Sequence, residues 1–328
     1  DEYHKGERFK DFLSSTQISA AQLFCMLMLS RLSAEITFPL SGTGYGGETL
    51  LALVIAEVIR FLLALPLIIY SAKGNNLYRA AYRKSKFMGW ALAVIAFLLL
   101  AGAVVKSLFH TAVFAQRSLL PKGSPVVLTL IAAGFAVYAA VMGAEALARS
   151  GTLFLIAAAV ITAAVMLADI PYMKFDAMDL SRSQYGGLID DITERLLRGG
   201  DYLVFAALLP FVALKKEKRK LNACGASLFF ALFSTLAGIM LCAFYCLTLR
   251  EFYGMTEYPF FAAASLSDIA LLKRLDGGGA ALWTLCAAFR TGLMLFAAWS
   301  VIIQPIWEAR GKSAFTSGNA EERGSAAG

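Results

Sequence analysis

The stretch Ile18-Ser-Ala-Ala-Gln-Leu-Phe-Cys-Met-Leu-Met-Leu-Ser-Arg-Leu-Ser-Ala-Glu-Ile-Thr-Phe-Pro-Leu40 decides the fold. Its first half is apolar enough to open a membrane-length helix, and Pro39 ends the run. Between them, Ser30, Arg31, Ser33 and Glu35 place two charges and two hydroxyls at about mid-depth. A charge at the bilayer centre costs ~2.5–3.5 kcal/mol on insertion scales, so it faces a bundle interior or a water-filled cavity. Arg31 and Glu35 are spaced i,i+4, share a helix face and can pair. Ser30, Ser33 and Ala34 are small enough for neighbouring backbones to approach, or for the helix to unwind and expose its own polar groups. Two readings follow: a structural ion pair between helices, or a site that faces a ligand.

The rest of the chain agrees with a membrane setting. It has 328 residues, 59% hydrophobic and 16% charged, whereas soluble domains carry about 45–50% apolar and about 25% charged residues. The net charge of +7 would suggest nucleic acid in a soluble protein. Here the basic residues sit between apolar runs, as topology signals do, so no nucleic-acid partner is expected. Cys25, Cys224, Cys242, Cys246 and Cys286 all lie in apolar stretches. Their odd number and lack of CxxC spacing argue against a disulfide framework or a zinc site. His4 and His110 have no partner at ligand spacing. No nucleophile with its base, carboxylate pair for hydrolysis or phosphate-binding glycine loop is legible, so neither an enzyme nor a cofactor is expected. A cleavable signal peptide is not expected either, because the first apolar run is too long.

Further spans are expected at 49–71, 87–115, 124–142, 143–168, 200–214, 222–249 and 280–303. A single helix over 124–168 would be roughly 67 Å long, twice the bilayer core. The chain must therefore turn, and Met142-Gly143 is the expected place. With the N-terminus inside, inner segments carry 17 Lys and Arg, outer loops 9 and the spans 4 (Arg31, Arg60, Lys106 and Arg290). The run Lys215-Lys-Glu-Lys-Arg-Lys220 anchors that orientation. The domain reading is a cytoplasmic segment over 1–17, a transmembrane domain over 18–304 and a polar cytoplasmic tail over 305–328. The chain opens without Met, which reads as a fragment.

The sixth span is abnormal. Asp201 to Leu214 would make only about 21 Å of helix, and Gly199-Gly200 precedes it, so a discontinuous helix of the transporter kind is expected. The plainer alternative is one helix extended outward through Leu196-Leu197. Among the remaining charges, Glu57 and Arg60 form an i,i+3 pair mid-span, and Glu145 and Arg149 an i,i+4 pair. Lys106 snorkels near the outer interface. Arg290 is central in the eighth span with no acidic residue within a turn, so its partner must come from another helix or a cavity.

Several pieces in order resemble one family: Ile18-Ser-x-x-Gln-Leu-Phe, Ser30-Arg31-Leu32 running to Pro39, Gly143-x-Glu145-x-x-Ala148-Arg149, Leu209-Pro210-Phe211 before a Lys-rich turn, Tyr258-Pro259 and Arg274-Leu275-Asp276. The chain resembles the B subunit of spore germinant receptors, an amino-acid-permease-like branch of the amino acid–polyamine–organocation superfamily. The resemblance implies an all-α, polytopic bundle of the LeuT type, with two inverted five-helix repeats and unwound first and sixth helices that hold the ligand. It also implies a role in the spore inner membrane beside a membrane-associated A subunit and a lipoprotein C subunit. About eight of the family's ten spans are found here, which marks a fragment or a divergent member. The run-in from Leu188 to Asp201 is shorter than the family's, and Ser33-Ala34-Glu35 stands where small residues with glycine are usual.

The expected function is sensing of a small nutrient, an amino acid, in a lipid bilayer. The expected ligand residues are Ser30, Arg31, Ser33, Glu35, Gly199, Gly200 and Asp201, with Glu57, Arg60, Glu145, Arg149 and Arg290 as structural or coupling charges. The alternatives are a stand-alone amino acid transporter coupled to an ion or proton, and a non-binding scaffold for partner subunits.

Overall fold

The motif Ile18-Ser-x-x-Gln starts the first helix with a capping box. Ser19 Oγ accepts from the Gln22 N–H at 3.1 Å, and Gln22 Oε1 accepts from the Ser19 N–H at 2.9 Å. The computed structural model describes residues 18–38, 47–74, 81, 85–173, 187–212, 219–266 and 275–325. The Lys215–Lys220 anchor, the Arg274 motif and segment 1–17 lie wholly or largely outside them. Among the described residues, ten α-helices follow in order: α1 Ala20–Thr37, α2 Gly47–Gly74, α3 Lys86–Ser118, α4 Pro125–Val141, α5 Gly143–Ala168, α6 Leu188–Arg198, α7 Asp201–Leu208, α8 Arg219–Leu249, α9 Pro259–Leu266 and α10 Leu275–Ser325. Short 3-10 turns cover Ile170–Tyr172, Leu209–Phe211 and Arg250–Met255. The chain is an all-α polytopic membrane protein.

Each expected span meets a helix. α2, α3, α5, α8 and α10 contain stretches long and apolar enough to cross a membrane, and α4 is a shorter apolar helix of 17 residues. α1 is 18 residues long and carries Arg31 and Glu35. The expected turn falls between α4 and α5, where Gly143 has φ 87°. That left-handed conformation favours glycine, and it separates the two apolar runs without a loop.

Burial follows position in the bundle. In α10, 78% of the apolar window is buried, against 17% in α5, so α10 is the central element and α5 a peripheral one. α10 packs on α3, α4, α1, α5 and α7, while α8 packs on α2 and α1. Close contact relies on small residues: a Cβ on Gly292 of α10 would lie 2.9 Å from Ala139 Cβ and 3.0 Å from the Ala136 carbonyl of α4. Large apolar side chains such as Leu63, Val105, Leu130 and Leu153 stay exposed, as expected where lipid rather than water surrounds the helices. Ile18 closes the bundle at one end. Its N–H donates to the Phe211 carbonyl at 3.0 Å, which ties the start of α1 to the 3-10 turn after α7.

Candidate functional site

The sixth apolar segment is interrupted, not extended. α6 ends at Arg198 and α7 begins at Asp201, with Gly199 (φ −86°, ψ 114°) and Gly200 (φ −121°, ψ −2°) outside helical geometry. Both glycines are closely approached. A Cβ on Gly199 would lie 2.8 Å from Arg60 Nε, and one on Gly200 3.1 Å from Met294 Cε. The break leaves the first N–H groups of α7 without carbonyl partners of their own helix, beside the carboxylate of Asp201.

The first helix behaves differently from what the resemblance implies. α1 is continuous over Ala20–Thr37, and its hydroxyls bond back along the helix: Ser33 Oγ donates to the Ser30 carbonyl at 2.9 Å and Thr37 Oγ1 to the Ser33 carbonyl at 2.5 Å. No glycine lies in the stretch to favour an unwound turn. The polar groups that α1 brings to the bundle centre are therefore side chains, not freed backbone.

Those side chains meet the break. Ser30 Oγ donates to Asp201 Oδ1 at 2.6 Å, and Arg31 Nη1 lies 3.7 Å from Asp201 Oδ2. Arg31 also pairs with Glu35, Nε to Oε1 at 3.6 Å, but its shortest contact is Nη2 to Glu57 Oε2 at 2.7 Å. Glu57 is the hub. Its Oε2 also accepts from Arg60 Nη1 at 2.9 Å, and its Oε1 accepts from Tyr202 at 2.8 Å and Ser234 at 3.2 Å. The expected Glu57–Arg60 pair is thus present and is enlarged by α1, α7 and α8. Ser30, Arg31, Glu57, Arg60, Asp201, Tyr202 and Ser234 are all buried, and Glu35 is partly exposed. A buried carboxylate holds its charge only with such a shell of donors.

Arg290 of α10 finds its partners across the bundle. Its Nη2 donates to the Arg198 carbonyl at 2.8 Å, the last residue before the break, and its Nε to Ser30 Oγ at 3.3 Å. Its guanidinium lies 4.9 Å from the centroid of the Phe38 ring, within cation–π range. Lys106 is half-buried with its ammonium 5.9 Å from the same ring. Glu145 and Arg149 pair at 2.5 Å, but on an exposed face of α5 and apart from this cluster.

Four contributors were not anticipated. Arg195 reaches Glu35 Oε2 at 3.5 Å, and Arg198 pairs with Glu194. Both arginines are buried, although the charge count assigns them to an outer loop. The signal was their spacing with Asp191 and Glu194 on one face of α6. Tyr202 was readable only as the neighbour of Asp201, and Ser234 only as a hydroxyl inside an apolar run. Of the residues expected at the ligand site, Ser30, Arg31, Ser33, Glu35 and Asp201 are joined by hydrogen bonds or ion pairs, while Gly199 lies against Arg60 and Gly200 against Met294.

No curated protein matches the sequence. A family model described as Spore germination protein, a spore permease, matches residues 17–317 and so contains α1, the α6–α7 break and Arg290. The chain belongs to this spore germination family of permease-like membrane proteins.

Proposed function

We propose that the chain is the nutrient-sensing membrane subunit of a spore germination receptor, working beside A and C subunits in the spore inner membrane. The nutrient is a small zwitterion, an amino acid, read where α1 meets the α6–α7 break. The observation that carries this reading is the contact of Ser30 and Arg31 with Asp201 at an interrupted helix in the bundle interior. An amino acid brings a carboxylate and an ammonium group, and both need opposite charge or helix ends once water is excluded. The site already holds both signs. A ligand entering it exchanges protein–protein ion pairs for protein–ligand ones, so binding and rearrangement of the cluster are linked.

The output is a population shift. A ligand moves a two-state protein only by its differential affinity, and about hundredfold preference brings a 1:99 equilibrium to parity. The ligand need not cross the membrane. The second reading, a lone amino acid transporter, draws on the permease description of the family model. One experiment separates them: spores lacking this chain are complemented with it, and the purified chain is placed in proteoliposomes. Restored response to an amino acid without accumulation in the vesicles supports the sensor. Ion-driven accumulation by the chain alone supports the transporter.

A further inference from the structure

Among the buried atoms at the break that lack hydrogen-bond partners, two belong to groups that touch the same hydroxyl. Among the described residues, Arg290, 2% exposed, has no hydrogen-bond partner for its Nη1, and Asp201, 2% exposed, has none for its Oδ2, which keeps only the longer ion pair with Arg31 Nη1 at 3.7 Å. Arg290 Nε reaches Ser30 Oγ at 3.3 Å, and Ser30 Oγ reaches Asp201 Oδ1 at 2.6 Å. The guanidinium and the carboxylate that carry these two atoms are thus bridged by one hydroxyl, that of Ser30. A buried charged atom without a hydrogen bond is costly to keep, and a ligand group that supplies the bond recovers that cost.

Arg31 is differently placed. Three carboxylates, Glu57, Glu35 and Asp201, lie within 2.7–3.7 Å of it. The hydrogen bonds of Arg290 go to neutral oxygens, the Ser30 hydroxyl and the Arg198 carbonyl. Among the described residues no carboxylate lies within ion-pair distance of it. Its ring contact with Phe38 and its bond to the Arg198 carbonyl hold the guanidinium in place.

We infer that Arg290 and Asp201 form a clamp across Ser30 that requires a zwitterion: Arg290 Nη1 receives the ligand carboxylate and Asp201 Oδ2 receives the ammonium. This rests on the nutrient-sensing reading and deepens it by moving the carboxylate anchor from α1 to α10. Arg31 is then a positioning residue that holds Asp201 and Glu57. A ligand with only one of the two charged groups leaves a buried partner unpaired, and sites of that kind discriminate by large factors.

The test uses the full chain in lipid discs and equilibrium binding of alanine, valine, leucine and asparagine, each beside its deaminated acid and its decarboxylated amine. The expected result is binding of at least one amino acid, with its acid and its amine each roughly a hundredfold weaker or worse. In Arg290→Gln the preference for the amino acid over the amine collapses, while in Asp201→Asn the preference over the acid collapses. The wild-type ratios stand even where a variant fails to accumulate. An amine or acid that binds the wild-type chain as tightly as its amino acid overturns the clamp. Unchanged discrimination in a well-folded Arg290→Gln overturns the clamp and leaves the nutrient reading intact. Absence of binding by all four amino acids overturns both.

Discussion

Replacing Glu57 by Gln tests whether the buried charge cluster holds the bundle together. The substitution keeps the shape of the side chain, and its amide oxygen can still accept from Tyr202 and Ser234, which lie 2.8 and 3.2 Å from Oε1. At the Oε2 position an NH₂ group would face two guanidinium donors, Arg31 Nη2 at 2.7 Å and Arg60 Nη1 at 2.9 Å. Arg31 keeps Glu35 and Asp201 as partners. Arg60, whose Nε and Nη2 have no hydrogen bonds among the described residues, loses the carboxylate that lies 2.9 Å from its Nη1. Breaking a buried pair from one side costs about 3–5 kcal/mol, or two to three and a half decades in the unfolding equilibrium. The exposed Glu145–Arg149 pair is the internal control, since pairs in solvent contribute about 0–1 kcal/mol. Equilibrium unfolding of the purified chain in detergent, with Glu57→Gln, Glu145→Gln and the double variant Glu57→Gln/Arg60→Gln, gives the comparison. Glu57→Gln should lose at least threefold more free energy than Glu145→Gln, and the double variant should recover part of the loss. A Glu57→Gln variant no less stable than Glu145→Gln would refute the reasoning.

Other outcomes follow from the same structure. Gly292→Ala should cost about 1–3 kcal/mol, because its Cβ meets the Ala136 carbonyl and Ala139 Cβ of α4; Gly134→Ala, with open space around it, should be near neutral in the same unfolding assay. Asp169, just past the end of α5, is buried with no hydrogen-bond partner for either carboxylate oxygen among the described residues, and burial pushes its carboxyl up from 3.8 to about 6. The folded state binds more protons there than the unfolded one, so this group's contribution falls as pH rises from 3.8 to about 6. Asp169→Asn should flatten that part of the stability–pH curve and be no less stable than wild type at pH 7; a steeper curve would contradict the burial argument. Arg290 places a permanent cation between Ser30 and the Arg198 carbonyl, and a sodium ion close by would be strongly repelled in a low dielectric. Any accumulation of amino acid in proteoliposomes should be independent of a sodium gradient, and sodium-driven uptake would rule this out.

The membrane-length helices are legible because hydrophobic length is a local property, whereas the short α9, Pro259–Leu266, carries no such signal. The need for a turn follows from bilayer thickness and its place from Met142-Gly143 beside the polar Glu145 and Arg149, and the broken segment at Gly199-Gly200 from a short apolar run behind two glycines. The pairs at i,i+3 and i,i+4 were legible for the same reason, and Glu57–Arg60 and Glu145–Arg149 both form. What joins helices was not. Glu57 becomes the hub only because α1, α7 and α8 converge on it, with Ser234 lying 177 positions away in sequence. Arg195 and Arg198 read as loop charges because α6 is polar, and only its packing on α2 turns that face inward. The first helix was expected to unwind at Ser30 to Ser33; hydroxyls bonded to carbonyls one turn back keep it helical.

The nutrient dose–response of spores carrying Arg31→Lys, with the abundance of the chain in the membrane measured in parallel, tests the central claim most directly. Lysine keeps the charge and loses the planar fork that reaches Glu57 at 2.7 Å and Asp201 at 3.7 Å together. The account predicts near-normal abundance and a dose–response shifted to higher nutrient concentration by roughly tenfold or more, the loss of one charge-assisted bond. An unchanged dose–response at normal abundance, or loss of the protein from the membrane, would contradict it.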